Sequence, residues 1–182
     1  MNNTLTNYFS LVAKVDELCS RIEGEFADRI ACRSGCSGCC RHITLSWVEA
    51  VALATALAAL PPAEIEEIRH RARRASLDGT CPLLADDCCA LYRNRPIICR
   101  THGLPILTQQ DGTGRVDFCP LNFTGVDRLP GSALLDLDRL NTLLDSINRL
   151  FIAEAFDEHP TRERLSIAEA LLLDLDPTGD VP

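Results

Sequence analysis

The 182-residue sequence predicts a mainly α fold: a small helical domain around a long loop-rich cysteine region, with little or no sheet. Three observations carry this. Apolar residues recur at steps of three and four near both ends of the chain, capping signatures open two of the helices, and residues 77–130 are rich in Gly, Pro, Asp and Cys.

Taken in order, Leu5, Tyr8, Val12, Val15, Cys19, Ile22 and Phe26 draw one stripe on a first helix. Cys19 belongs to that stripe and reads as a small buried hydrophobe, not a reactive thiol. Ser46 with Glu49 three residues later is a capping box for a helix running to about Leu60, which Pro61 and Pro62 end. Pro62 suits the first turn of a further helix to about Ser76. Within residues 77–130 only Ala90 to Tyr92 and Val116 to Phe118 read as short extended pieces. A long helix from about Ala133 to Phe156 places Leu137, Leu140, Leu144, Ile147 and Phe151 on one face; Leu134, Leu143 and Leu150 widen that face toward a partner surface. Ser166 and Glu169 cap a last short helix, and the tail from Asp176 is expected to fray. No internal repeat is seen. The organisation expected is one domain over residues 1–182, with a cysteine region at 32–120 and a helical part at 131–175.

A formal charge of −8 argues against nucleic acid and anionic membrane surfaces as partners. The basic cluster Arg69, His70, Arg71, Arg73 and Arg74 shares its stretch with Glu64, Glu66 and Glu67, which is the pattern of a solvated helix face. Asp16, Glu17, Glu23 and Glu25 interrupt the opening residues, so they form no signal-peptide core, and Ala50 to Leu60 is too short to span a bilayer. A cytoplasmic location is the expectation, and there thiols stay reduced.

Ten cysteines in such a compartment point to metal ligation rather than disulfides, because they are bunched in a chain with no export signal. The first group is Cys32, Cys36, Cys39 and Cys40, a C-x3-C-x2-C-C run in which Gly35 and Gly38 allow tight turns. Thiolates two residues apart can reach one ion, whereas the adjacent Cys39 and Cys40 tend to diverge toward different ions or different irons of a cluster. The second group, Cys81, Cys88, Cys89, Cys99 and Cys119, is too widely spaced for local geometry alone, so folding must bring it to the first. Soft thiolate ligation suits zinc, copper(I) and iron-sulfur clusters alike.

The run Cys36-Ser37-Gly38-Cys39-Cys40-Arg41, the helix opening Ser46 to Glu49, Cys81-Pro82-Leu83-Leu84 and the stretch from Cys89 to Arg100 together resemble the YkgJ-type cysteine-cluster family, described as a zinc- or iron-chelating domain. The resemblance covers most of residues 32–120. It implies ligand roles for Cys32, Cys36, Cys39, Cys40, Cys81, Cys89, Cys99 and the closing Cys119. Cys88, beside the matched Cys89, is either a spare ligand or, as preferred here, a non-ligating thiol. Thr101-His102-Gly103 stands where many relatives carry an aromatic residue and a proline.

His42 and His102 each lie within three residues of a matched cysteine and are weighed as ligands, below a supporting or solvent role; His70 and His159 read as ordinary surface residues. Arg33, Arg41, Arg93, Arg95 and Arg100 flank the cysteines and are expected to offset thiolate charge. Eight cysteines can fill two tetrahedral zinc sites, or one four-iron cluster with four sulfurs left for a second ion, so more than one metal atom is expected, with iron favoured in anaerobic preparations. The function expected is metal binding for redox, delivery or sensing work with a protein partner. Two alternatives stand beside it. One is a metal-dependent enzyme or accessory module related to the flagellin lysine N-methylase, for which only Gly112 and Gly114 offer anything like a nucleotide loop; the other is a zinc-stapled interaction domain without chemistry.

Overall fold

A computed structural model of the chain describes residues 3–33 and 35–175; the tail expected to fray from Asp176 lies outside them. The first helix, α1, is Thr6–Glu25 and buries Tyr8, Leu11, Val12, Val15, Cys19 and Ile22, the face that the three-four stripe marks. The second, α2, is Trp47–Ala58 and is buried at Trp47 through Ala54 and again at Leu57. Its sequence is apolar nearly all round, as a helix at the centre of a fold requires. Each fully buried Leu or Val there contributes about 1.5–3 kcal/mol. Next, α3 is Pro62–Arg73, with proline in its first turn, and it buries Ile68 and Ala72; its basic stretch is solvated only in part, since His70, Arg73 and Arg74 are exposed while Arg69 and Arg71 are half-buried and donate to Leu173 O and Pro82 O.

Two short strands join the chain just after the first cysteine run to its C-terminal part. The first, β1, Thr44–Leu45, pairs antiparallel with β7, Leu165–Ser166, and α6, Ile167–Leu171, follows directly. Ser166 and Glu169 form the expected capping box, the Ser166 side chain accepting from Glu169 N–H and the Glu169 carboxylate accepting from Ser166 N–H. Helix α6 packs on α2 and α3, while α1 packs on α4, Ile97–Thr101, and on α5, Leu137–Ala155.

Of the described residues, 49% are helical and 13% strand, so the fold is mixed rather than purely helical. The additional sheet lies where a loop is expected. Strands β2, Leu84–Ala85, and β3, Cys88–Cys89, form a tight hairpin. Strands β4, Ile106–Gln110, and β5, Thr113–Asp117, form a second one, and β6, Leu135–Asp136, adds to β4 in parallel. The second hairpin turns at Asp111-Gly112, both with positive φ, the dipeptide that favours two-residue hairpin turns. Its alternation is faint because every residue of β5 is exposed. The long C-terminal helix also differs in burial. Only Phe151 and Ile152 are buried on α5; Leu137, Leu140, Leu144 and Ile147 are half-buried, and Leu143 and Leu150 are exposed. No helix among the described residues is long and apolar enough to cross a membrane.

Candidate metal centre

The cysteine run from residue 32 to 40 is a series of turns. Cys36 N–H donates to Arg33 O, Cys40 N–H to Ser37 O and Arg41 N–H to Cys39 O, each at 2.9 Å. Gly35 holds φ +87°, a backbone region that L side chains rarely adopt, so the turn into Cys36 depends on it. The run is then tied to the second cysteine group through the main chain. Arg41 bridges Thr80, and Cys81 N–H donates to Cys40 O at 3.1 Å.

The β2–β3 hairpin explains why two adjacent cysteines part company. Its turn residues Asp86 and Asp87 both have positive φ, and Ser37 of the first run donates to Asp87 Oδ1 at 2.7 Å. Successive side chains on a strand point to opposite faces, so Cys89 is half-buried toward the other sulfurs while Cys88 is exposed.

Cys99 lies in α4, whose start is held by a residue of another helix. Glu49, only 3% exposed, accepts from Ser46 N–H at 3.2 Å and Ser46 Oγ at 2.9 Å on one oxygen, and from Ile97 N–H at 3.2 Å on the other. One carboxylate thus caps both α2 and α4. Cys119 follows β5 and returns to the first run through Gly103. Its N–H donates to Gly103 O at 3.4 Å, and a Cβ on Gly103 would stand 3.3 Å from Cys32 Sγ and 3.1 Å from Asn122 Nδ2.

The eight predicted ligands fall into two neighbourhoods. Every pair among Cys40, Cys81, Cys89 and Cys99 is within electrostatic reach, and each of these thiols is half-buried. Cys32 is within reach of Cys36, Cys39 and Cys119, and Cys36 of Cys39; of these four, Cys119 is half-buried and the others are exposed. The groups meet at Cys40, whose side chain is hydrogen-bonded to that of Cys39 and lies within reach of Cys36. Burial pushes Cys81 up to about 11 and Cys99 up to about 12, with neighbouring thiolates adding to the rise. Cys32, Cys39, Cys40 and Cys89 are raised by burial as well.

Opposing that rise, amide donors are aimed at sulfur. The N–H groups of Leu83 and Leu84 meet Cys81, that of Leu91 meets Cys89, and Asn122 Nδ2 donates to Cys32 Sγ at 3.4 Å. A thiol is a weak acceptor, whereas a thiolate is a good one, so this donor set fits a metal-bound thiolate. Among the described residues, no three ligand-type side chains yet stand close enough to hold an ion. The sulfurs converge without closing, and drawing them together as thiolates requires a cation to offset their mutual repulsion.

Of the five flanking arginines, Arg95 is the one whose charge lowers Cys40, Cys89 and Cys99. It stacks 3.8 Å over the Tyr92 ring and donates to Cys99 O at 3.2 Å. Arg100 does something else. Its Nη1 meets both oxygens of Asp16 on α1 at 2.7 and 2.6 Å, and its remaining nitrogens donate to Arg95 O and Arg93 O. Arg33, Arg41 and Arg93 are exposed.

His42 is buried with both ring nitrogens occupied by main chain: Nδ1 pairs with Ser76 O at 2.8 Å, and Nε2 accepts from Ala168 N–H at 3.1 Å. It anchors α6 to the end of α3 and has no nitrogen left for a metal. His102 is exposed just past α4. Cys19 is buried, with Sγ 3.7 Å from Arg100 O, and burial pushes it up to about 11.

Asn122 is the residue that sequence reasoning missed. It is 1% exposed and is fully used: Oδ1 accepts from Ala31 N–H at 2.9 Å, and Nδ2 donates to Gly103 O at 2.8 Å as well as to Cys32 Sγ. It therefore holds together the three chain segments that carry Cys32, Gly103 and Cys119. Its only sequence signal is a position three residues after Cys119, where its N–H closes a turn onto Cys119 O at 2.8 Å.

Comparison with curated proteins and with solved structures returned no match. Comparison with protein families did. Residues 31–120 match the family CxxCxxCC, described as "Putative zinc- or iron-chelating domain". The matched span opens one residue before Cys32 and closes one after Cys119, so it takes in all eight predicted ligands and both neighbourhoods of sulfur. Over this segment the chain matches the CxxCxxCC family, the cysteine-cluster family that its sequence resembles.

Proposed function

We propose that the chain holds more than one atom of zinc or iron through Cys32, Cys36, Cys39, Cys40, Cys81, Cys89, Cys99 and Cys119, and that it uses the metal in redox, delivery or sensing work with a protein partner. The observation that carries this reading is the convergence of these sulfurs from separate stretches of chain, with amide donors directed at Cys32, Cys81 and Cys89. Bound zinc would supply a cross-link and an exchangeable cation, while an iron-sulfur cluster would supply one-electron transfer. The residues around the sulfurs act on backbone and charge. Glu49 fixes the start of the helix carrying Cys99, Asn122 fixes Cys32 against Gly103, and Arg95 offsets part of the thiolate charge.

The enzyme alternative loses its glycine motif, because Gly112 is a hairpin-turn residue and Gly114 lies within β5. A zinc-stapled interaction domain would use the same sulfurs and differ in having no exchange or redox activity.

Metal analysis of the anaerobically purified chain, combined with its absorption spectrum, tests the proposal. A broad visible band with acid-labile sulfide assigns a cluster, and a colourless protein carrying zinc assigns tetrahedral sites. One metal atom or fewer per fully loaded chain overturns the multi-metal reading, and a chain that retains neither zinc nor iron overturns metal binding itself.

A further inference from the structure

The two neighbourhoods of sulfur differ in how they are built into the fold. Cys40, Cys81, Cys89 and Cys99 sit against the helical core. Cys81 and Cys89 pack on buried apolar residues, and Cys40 and Cys81 share a main-chain hydrogen bond. Cys99 rides on α4, which is fixed to α2 by Glu49 and to α1 by the Arg100 to Asp16 pair, where the arginine side chain is only 8% exposed. Cys36 and Cys39, in contrast, are exposed on turns held by single main-chain bonds; Cys32 is exposed beside Asn122, and their fourth neighbour, Cys119, lies on a loop just past the exposed strand β5.

We infer that the eight thiolates form two adjoining four-sulfur centres: an inner structural one at Cys40, Cys81, Cys89 and Cys99, and an outer exchangeable one at Cys32, Cys36, Cys39 and Cys119. The inference rests on the metal-holding reading above and goes further by assigning each sulfur to a centre and each centre to a role. The boundary runs between Cys39 and Cys40, whose side chains meet in a hydrogen bond: Cys32 is within reach of Cys36, Cys39 and Cys119 on one side, every pair among Cys40, Cys81, Cys89 and Cys99 is within reach on the other, and Cys36 and Cys39 reach across to Cys40.

Exposure then decides the chemistry. An ion leaves a thiolate site by stepwise ligand exchange: an incoming donor forms one bond to the metal as one metal-sulfur bond breaks, and the released thiolate takes a proton from water. The metal keeps its oxidation state throughout. At the outer centre three sulfurs stand open to an incoming donor, and the turns that carry Cys36 and Cys39 can open without disturbing the core. At the inner centre each sulfur that leaves must loosen the β2–β3 hairpin, α4 or the strap between Cys40 and Cys81. The outer centre is accordingly the one that passes metal to an acceptor of the same chemistry, a protein or small molecule presenting thiolates.

The test uses the full chain, reduced and loaded anaerobically with zinc, then challenged with a chromogenic chelator while limited proteolysis reports on residues 77–120. The expected result is two equivalents of zinc leaving in two phases, the second at least about tenfold slower than the first and accompanied by new cleavage within that segment. Cys36→Ser and, separately, Cys119→Ser should abolish the fast phase and leave the slow one and the protease resistance intact. Cys81→Ser should remove the slow phase, and because that variant may not fold, the two outer variants decide the matter. Two equivalents leaving in one phase, or outer variants that lower both phases together, overturn the two-centre inference and leave metal holding intact. A chain that binds no zinc and no iron overturns the reading beneath it.

Discussion

Glu49→Gln is the substitution that most directly probes how the scaffold places a predicted ligand. Both oxygens of Glu49 are occupied, one by Ser46 N–H and hydroxyl and the other by Ile97 N–H, and the residue is 3% exposed. Glutamine has nearly the same shape and one oxygen fewer. Whichever way its amide turns, an NH2 faces a backbone N–H, so a donor meets a donor on one side. A hydrogen bond to a charged group contributes about 1.5–3 kcal/mol and a buried unsatisfied donor costs about 1–3 kcal/mol, so a net destabilisation of about 3 kcal/mol is expected. For a chain of this size that is a fall in melting temperature of roughly 6–12 °C. The assay is thermal unfolding of the metal-loaded variant beside Ser46→Ala, which removes the hydroxyl bond and spares the cap on α4. Glu49→Gln should exceed that control and should also speed zinc loss from the slow phase, because Cys99 sits two residues into the helix that Glu49 starts. A fall within about 2 °C of wild type, with zinc release unchanged, would show that Ile97 N–H does not depend on this carboxylate.

Three further outcomes are expected. Cys19→Ala should retain the full metal load and lose about 1 kcal/mol of stability, since the thiol packs in the α1 stripe; loss of metal with the fold intact would make it a ligand after all. Glu169 is held down at about 2, first by its hydrogen bond from Arg162 and also by Ser166, so its contribution is present above about pH 4.5 and lost as pH falls toward 2. Because the pair is substantially solvent-exposed, the loss should amount to about 1 kcal/mol, read as the difference between wild-type and Glu169→Gln acid unfolding; parallel curves would refute it. Burial keeps Cys81 and Cys99 neutral at pH 7, so zinc entering the inner centre should displace about four protons, and its affinity should climb with pH; calorimetry in buffers of different ionisation enthalpy that finds fewer than about two protons per ion would contradict inner ligation.

The helices were legible because their signals are local. The stripe from Leu5 to Ile22, the prolines after α2 and the capping boxes at Ser46 and Ser166 each act within a few residues. Of the β4–β5 hairpin only Val116 to Phe118 was read as extended, although Asp111-Gly112 is a strong turn signal, because alternation fails when a strand has no buried face. Burial along α5 was over-read for a related reason: periodicity shows that a face is apolar, not that anything covers it. At the candidate site, spacing and family resemblance identified the cysteines, whereas Asn122 and the reach of Glu49 to Ile97 depend on contacts between residues 91 and 48 positions apart, which no local pattern encodes. Arg100 misled for the same reason, since its partner Asp16 lies 84 positions away.

These long-range contacts share one property that bears on how the site works. Glu49, Asn122, His42 and Arg100 all direct hydrogen bonds at backbone atoms of segments that carry or adjoin the cysteines: Ile97 N–H before Cys99, Ala31 N–H before Cys32, Ser76 O before Cys81, and the Arg93 and Arg95 carbonyls ahead of Cys99. With the exception of the Asn122 amide, none spends its polar atoms on sulfur. These four residues thus fix mainly where the chain runs, and the sulfurs are oriented by amide donors at Cys32, Cys81 and Cys89. That division suits a site which must admit a metal ion: the entropy of placing the backbone is spent during folding, and binding then has only side-chain torsions to fix. It also follows that substitutions at these four positions should weaken metal holding without removing a single candidate ligand, a sensitivity that a list of cysteines alone does not foresee.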